Sequence, residues 1–251
     1  MQDIDFAESA LFLDFDGTLV RLEATPDAVV LRPRTRSIVT SLAGELQGAL
    51  AIISGRDVRD LLTMVAPLRV PLAGGHGAQT ADSDGNVSVS ELDSGMVGGL
   101  FDAISPYAAQ NRLLLERKAA GVALHFRNRP ELEEEARAFA ARLGDGNADL
   151  RVIQGNMVAE LALAQVNKGN AIRSFMADAP FAGRVPIAAG DDTTDEDSFA
   201  AVQAMGGVGL KVGPGPTCAR YRLPDVDGFV GWLATCLNVG SFRFKGMSGC
   251  N

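Results

Sequence analysis

The sequence predicts an α/β chain: a doubly wound parallel sheet interrupted by an α+β insert. Three observations carry that reading. Short apolar runs alternate with amphipathic helical patterns from residue 10 to residue 77, and the same rhythm returns from Lys168. Between these stretches the pattern changes to hairpins and two helices. Two acidic clusters, Asp14-Phe15-Asp16-Gly17-Thr18 and Gly190-Asp191-Asp192-Thr193-Thr194-Asp195, each begin where an apolar run must end. Open α/β sheets bind their ligands at the carboxyl ends of their strands.

Ala10 to Asp14 is a continuous apolar strand. Arg34 to Leu46 places Ile38, Val39, Leu42 and Leu46 at helical spacing. Ala49 to Ser54 predicts a second buried strand, Asp57 to Val65 a helix, and Val70 to Ala73 a third strand ending at Gly74-Gly75-His76-Gly77. Ser83-Asp84-Gly85-Asn86 is a hairpin-turn signal. Met96 to Gln110 predicts a helix, Arg112 to Arg117 and Val122 to Arg127 paired strands, and Glu131 to Leu143 an amphipathic helix started by Pro130. Leu150 to Ile153 and Met157 to Leu163 read as a further hairpin. The first rhythm then resumes with helix Gly169 to Ala177, strand Val185 to Ala189, helix Glu196 to Met205, strand Gly206 to Val212 and helix Gly228 to Leu237. The tail from Gly240 to Asn251 shows little core-forming pattern. The expected organisation is a discontinuous core, residues 1–77 and 164–251, with an inserted cap at 78–163.

Composition narrows the function classes. The 251 residues are 47% hydrophobic and 22% charged, ordinary for a globular protein. The net charge of −8 argues against generic nucleic-acid binding. No apolar run is long enough to span a bilayer, and the acidic start lacks the pattern of a signal peptide. Cys218, Cys236 and Cys250 are odd in number and lack metal-ligand spacing, which fits reduced thiols in a cytoplasmic protein. A monomer with neither nucleic-acid nor membrane partners is the expectation.

Several carboxylates meeting at one sheet edge repel unless a hard cation neutralises them, and Mg²⁺ suits an all-oxygen site. Asp14 is the candidate nucleophile, because a carboxylate at a strand end can face a phosphorus atom. Asp16 is the candidate acid and base. Gly17 lets the chain turn, and Thr18 is expected to hold that turn by a hydrogen bond. Ser54, Gly55 and Arg56 follow the second strand and offer a phosphate site, although Ser54 or Asp57 can equally serve as an ordinary helix cap. Lys168 is a cation for Asp14 and the phosphoryl oxygens. Asp191 is the first choice for a direct Mg²⁺ ligand, beside Asp14 and the backbone carbonyl of Asp16. Asp192 and Asp195 are expected to act through water or to fix their loop. His76 and His125 read as structural.

These four loops, in this order, resemble the haloacid dehalogenase superfamily of phosphatases, which implies a Rossmann-like core of that type. More narrowly, the chain is similar to the trehalose-6-phosphate phosphatase family. Gly75-His76-Gly77-Ala78, Leu115-Glu116-Arg117-Lys118, Val122-Ala123-Leu124-His125-Phe126-Arg127 and Val158-Ala159-Glu160-Leu161 carry that likeness. The resemblance implies that Glu116, Lys118 and Glu160 contact sugar hydroxyls; Arg127 is a candidate substrate contact, with pairing to acids of the insert as the alternative. The chain departs from the family at Asn156, where lysine is frequent, and at Ala162-Leu163, where a basic residue and proline are usual.

The resemblance therefore implies a Mg²⁺-dependent phosphatase of a small-molecule sugar phosphate, with a cap that closes over the sugar. Trehalose 6-phosphate is the expected substrate. Sucrose phosphate, a glycosyl-glycerate phosphate or a monosaccharide phosphate remain open, as does a sugar-phosphate sensor.

Overall fold

The structure, a computed structural model, describes residues 3–23, 25, 28–89, 94–244 and 248–249. The chain forms two compact units: Met1–Ser88 with Asn167–Asn251, and Val89–Val166. The division falls later than residue 78 because the hairpin signalled by Ser83 to Asn86 belongs to the first unit. Its strands extend the core sheet instead of opening the insert.

In chain order the first unit contains β1 (Ile4–Asp5), β2 (Ser9–Leu13), α1 (Pro33–Glu45), β3 (Leu50–Ile53), α2 (Val58–Val65), β4 (Leu72–Gly74), β5 (Gln79–Ala81) and β6 (Val87–Val89). The second contributes α3 (Ser94–Asn111), β7 (Leu114–Lys118), β8 (Gly121–His125), α4 (Glu133–Gly144), β9 (Leu150–Gly155) and β10 (Val158–Leu163). The first unit then resumes with α5 (Lys168–Ala177), β11 (Val185–Gly190), α6 (Glu196–Ala204), β12 (Val208–Val212), β13 (Tyr221–Leu223), α7 (Val226–Val239), β14 (Ser241–Phe242) and β15 (Ser248–Gly249).

Among the described residues, the first unit builds a nine-stranded sheet in the order β15-β13-β12-β11-β2-β3-β4-β5-β6. β13 through β4 run parallel, while β5 returns antiparallel to β4 and β15 lies antiparallel to β13. β2 is wholly buried and pairs β11 on one side and β3 on the other. The strand order reverses there, so the carboxyl ends of β2 and β11 flank a topological switch point. The continuous apolar runs follow from burial on both faces. α1 begins with Pro33 at its first turn, where the missing N–H costs nothing, and buries Ile38, Val39 and Leu42.

The tail departs from expectation. β14 pairs with β1, and Phe242 and Phe244 are buried. Phe242 packs edge-on to Phe6 at 4.9 Å between ring centroids, and Phe244 stacks on Tyr221 at 5.2 Å. Fully burying such a side chain is worth about 1.5–3 kcal/mol. Two isolated aromatics give no periodic signal, so the sequence pattern misses them. Asn251 and Cys250 lie outside the described residues.

The second unit is a four-stranded antiparallel sheet in the order β7-β8-β10-β9. Its helices pack on one face of that sheet. A Cβ at Gly144 of α4 would lie 2.6 Å from Val152, and one at Gly98 of α3 would lie 3.8 Å from Arg117. Leu124, Val122 and Leu161, on the same face, are buried. No helix among the described residues is long and apolar enough to cross a membrane.

Candidate active site

Three strand ends and one helix start meet in the first unit. β2 delivers Asp14, whose N–H donates to the Ala189 carbonyl of β11 at 2.9 Å. Asp14 is 6% exposed and Lys168, the first residue of α5, is 3% exposed. The Lys168 ammonium donates to Asp14 Oδ1 at 2.7 Å and to Asp195 Oδ1 at 2.8 Å. Burial by itself pulls the Lys168 pKa down, but the charges of Asp14, Asp195 and Asp192 outweigh it and raise the value. Burial holds Asp14 well above the ordinary carboxylate range, with Lys168 opposing that rise.

Asp195 is fully committed. Its Oδ2 accepts the N–H groups of Asp191 and Asp192 at 3.0 and 3.1 Å, while Oδ1 takes Lys168. Asp192 caps the next turn, accepting from the Thr194 N–H and hydroxyl at 2.7 Å each. These two carboxylates fix the loop, one of the two roles the sequence left open. Burial alone would raise Asp192, but Lys168 and the Thr194 bonds bring it below its ordinary value.

The carboxylates gathered here fit a hard cation. Carboxylate oxygens of Asp14, Asp191 and Asp195 lie within 4.8 Å of one another. Asp14 Oδ2 is buried and has no hydrogen-bond partner among the described residues. Burial, then the charges of Asp195 and Asp192, push Asp191 up to about 7. A Cβ at Gly17 would sit 2.0 Å from Asp191 Oδ2, and Gly17 has φ +77°, so glycine is required here twice over. A buried carboxylate oxygen without a donor and a second carboxylate raised by like charges together suit Mg²⁺.

The second loop decides between the two helix caps that the sequence offered. Asp57, not Ser54, caps α2, accepting the Arg59 N–H at 2.8 Å. Ser54 is buried, and its hydroxyl oxygen accepts the Arg56 N–H at 3.2 Å. The Arg56 guanidinium donates twice to Asp16, Nε to Oδ2 at 2.6 Å and Nη2 to Oδ1 at 2.7 Å. Thr18 is a departure: its buried hydroxyl has no partner among the described residues. The turn is held by backbone instead, with Gly17 N–H to Val20 O at 2.8 Å and Leu19 N–H to Phe15 O at 3.0 Å.

Asp14, Asp16, Ser54, Arg56, Lys168 and Asp191 line one cavity of about 380 Å³, with Gly55, His76 and Asp192. His76 was read from sequence as structural. The structure adds that it lines this cavity, from a segment in which Gly75, His76 and Gly77 all have positive φ. Lys211 was missed. It is buried at the end of β12 and donates to the Asp191 carbonyl, and a lysine inside the run Val208-Gly209-Leu210-Lys211-Val212 was the available clue. Burial pushes the thiols of Cys218 and Cys236 up to about 11, which favours the neutral thiol at neutral pH.

In the second unit, pairing puts Glu116, Ala123, Glu160 and Ile153 in one cross-strand row. Lys118 lies two residues along β7 from Glu116, on the same face. That face is opposite the one the helices of the unit cover. The Lys118 ammonium donates to Glu160 at 2.5 Å, and His125 Nε2 lies 2.8 Å from Glu116 Oε2. Arg127 follows β8, and its guanidinium donates to the Asn156 carbonyl at 3.4 Å.

Comparison with known proteins bears on both units. Residues 12–227 match the trehalose-phosphatase family model. The chain is 37% identical over 228 residues to trehalose-6-phosphate phosphatase of Escherichia coli K12, covering 90% of this chain and 86% of that protein. The C-terminal domain of trehalose-6-phosphate phosphatase from C. albicans superposes with a TM-score of 0.77 at 22% identity, covering 92% of each chain. A haloacid dehalogenase-like hydrolase from B. subtilis shares the fold at a TM-score of 0.69 and 13% identity, covering 89% of this chain and 98% of that one.

Proposed function

The chain belongs to the trehalose-phosphatase family, and on that premise we propose that it hydrolyses trehalose 6-phosphate to trehalose and phosphate through an aspartyl-phosphate. One observation carries the chemistry. Asp14 ends the central strand with one oxygen held by buried Lys168 and the other without a donor. A carboxylate so placed is oriented but not consumed by its neighbours.

In the first step an Asp14 oxygen forms a bond to phosphorus as the bond to the sugar oxygen breaks, and Asp16 supplies the proton that oxygen needs. In the second, Asp16 takes a proton from water, the water oxygen bonds to phosphorus, and phosphate leaves with the Asp14 carboxylate restored. The Lys168 ammonium neutralises charge on the phosphoryl oxygens, and the Ser54 hydroxyl donates a hydrogen bond to them. Asp14, Asp191 and the backbone carbonyl of Asp16 would hold Mg²⁺, which when bound supplies further charge neutralisation at the transferring group.

Sugar recognition falls in this reading to Glu116, Lys118 and Glu160. Paired charges such as half-buried Lys118 and buried Glu160 suit hydroxyl groups, which both donate and accept. Arg127, tied to the Asn156 carbonyl, is a supporting group. The free thiols suit a cytoplasmic enzyme, and a monomer is sufficient for the chemistry.

The test is phosphate release from a panel of sugar phosphates, each with Mg²⁺ and with EDTA. Release from trehalose 6-phosphate that is strongest in the panel and abolished by EDTA is the expected result. Release from other sugars alone would retain the core chemistry and reassign the second unit. Binding of trehalose 6-phosphate without release would favour a sensor.

A further inference from the structure

We propose that Arg56 is a positioning residue for the acid–base carboxylate of Asp16, seated for that task by the ring of His76. The inference rests on the phosphatase reading above. Arg56 engages both Asp16 oxygens, at 2.6 and 2.7 Å, in the parallel fork that fixes a carboxylate in its plane. A carboxylate offers about four lone-pair sites and this fork uses two. One site on each oxygen therefore remains for a leaving-group oxygen or a water. The guanidinium carbon also lies 6.0 Å from the centre of the Phe15 ring, a side chain fixed in the core. Asp16 precedes the turn at Gly17, and its backbone bridges Val20, which places the residue but leaves the carboxylate to be oriented by Arg56.

The loop carrying Arg56 is itself pinned. Gly75 N–H donates to the Arg56 carbonyl at 2.7 Å, and His76 N–H donates to the Ser54 carbonyl at 2.9 Å. His76 holds φ +57°, an unfavourable value for a residue with a side chain. In that conformation its ring fills the space a Cβ would take at Gly55, where such an atom would meet His76 Cε1 at 2.7 Å and Nε2 at 2.8 Å. The glycine and the histidine therefore interlock, and Arg56 starts from a fixed backbone. Loss of a group that orients a catalytic side chain lowers activity by about 10–100-fold.

Leaving groups separate this role from direct phosphate binding. A sugar oxygen needs a proton to depart, whereas an aryl oxygen of low basicity barely does. The experiment measures kcat/KM on trehalose 6-phosphate and on p-nitrophenyl phosphate, with Ki for inorganic phosphate. The variants are Arg56→Gln, Arg56→Lys and Gly55→Ala, each checked by thermal melting. The expected result is a fall of about 10–100-fold on the sugar phosphate, a several-fold smaller loss on the aryl phosphate, partial recovery with lysine, and the same signature from Gly55→Ala. In an Asp16→Asn background, Arg56→Gln should add less than about threefold. Equal loss on both substrates with a raised phosphate Ki would overturn the proposal and make Arg56 a phosphate ligand. Should Arg56→Gln fail to fold, Arg56→Lys and Gly55→Ala decide, and unaltered selectivity in both overturns it. A wild-type chain that cleaves neither substrate overturns the phosphatase reading itself, whereas active wild type with indifferent variants overturns only the role of Arg56.

Discussion

The strand-end site of the first unit and the charged cross-strand row of the second are assembled in different ways. In the first, backbone topology does the placing: parallel strands end together, and whatever residues come next share one edge. In the second, pairing register does it: Glu116 and Glu160 share a row through Ala123 because three strands align there. The chemical site is also dry and densely charged, with Asp14, Lys168 and Asp195 almost fully buried. On the sheet face, Lys118 and the Glu116–His125 pair stay partly exposed. A substitution in the first site should therefore act on chemistry and stability together, and one at Glu160, buried against Lys118, on selectivity with a smaller loss of stability.

The comparison is broken most severely at Asp14. Asp14→Asn should lower turnover by about 10⁴-fold or more on every substrate, with the folded state kept by circular dichroism. Appreciable turnover would remove Asp14 as nucleophile. Lys168→Met should cost about 3–5 kcal/mol, because it leaves two buried carboxylates without their cation, and denaturant unfolding reads this directly. A loss under about 1 kcal/mol would show that the site is wetter than its burial implies. Glu160→Gln should lower the ratio of kcat/KM for trehalose 6-phosphate over p-nitrophenyl phosphate by about tenfold or more. A fall shared equally by both substrates would contradict the division of labour between the two units.

The smallest effect sharpens the contrast by lying just outside the site. Asp57→Ala should cost about 1 kcal/mol, since its carboxylate caps α2. The bond from Gln79, followed by the Arg59 N–H, holds Asp57 below its ordinary value of 3.8. Its contribution is thus present above that value and lost as pH falls through the lowered one. Melting wild type and variant from pH 7 down to pH 3 should show their difference shrinking only at the acidic end. A constant difference would assign the loss to packing.

How far the sequence revealed each region follows from the same physics. Asp14, Asp191 and Lys168 were readable because each sits at the boundary of a long apolar or helical pattern. The Arg56–Asp16 pair spans 40 residues and leaves no periodic trace. Thr18 looked like a turn-holding hydroxyl, but Gly17 and Leu19 satisfy the turn through backbone. The short strands β1 and β14 carry too few residues for a pattern, though they bring Phe242 against Phe6. In the second unit, individual strands were readable, but the row that joins Glu116 to Glu160 existed only once register was known.

The central place of β2 has a consequence for how the protein is made. Its sequence, Ser9 to Leu13, leaves the ribosome about 170 residues before one of its two partners, Val185–Gly190. At a synthesis rate of about 5–20 residues per second, some ~10–30 s separate the two. During that interval a nascent chain can pair β2 with β3 on one side only, and an apolar strand edge stands open on the other. A chaperone that shields short apolar segments, or slow collision between neighbouring nascent chains, is what this topology demands of its host. A ribosome that stops before residue 185 would release a fragment ready to pair with its own kind.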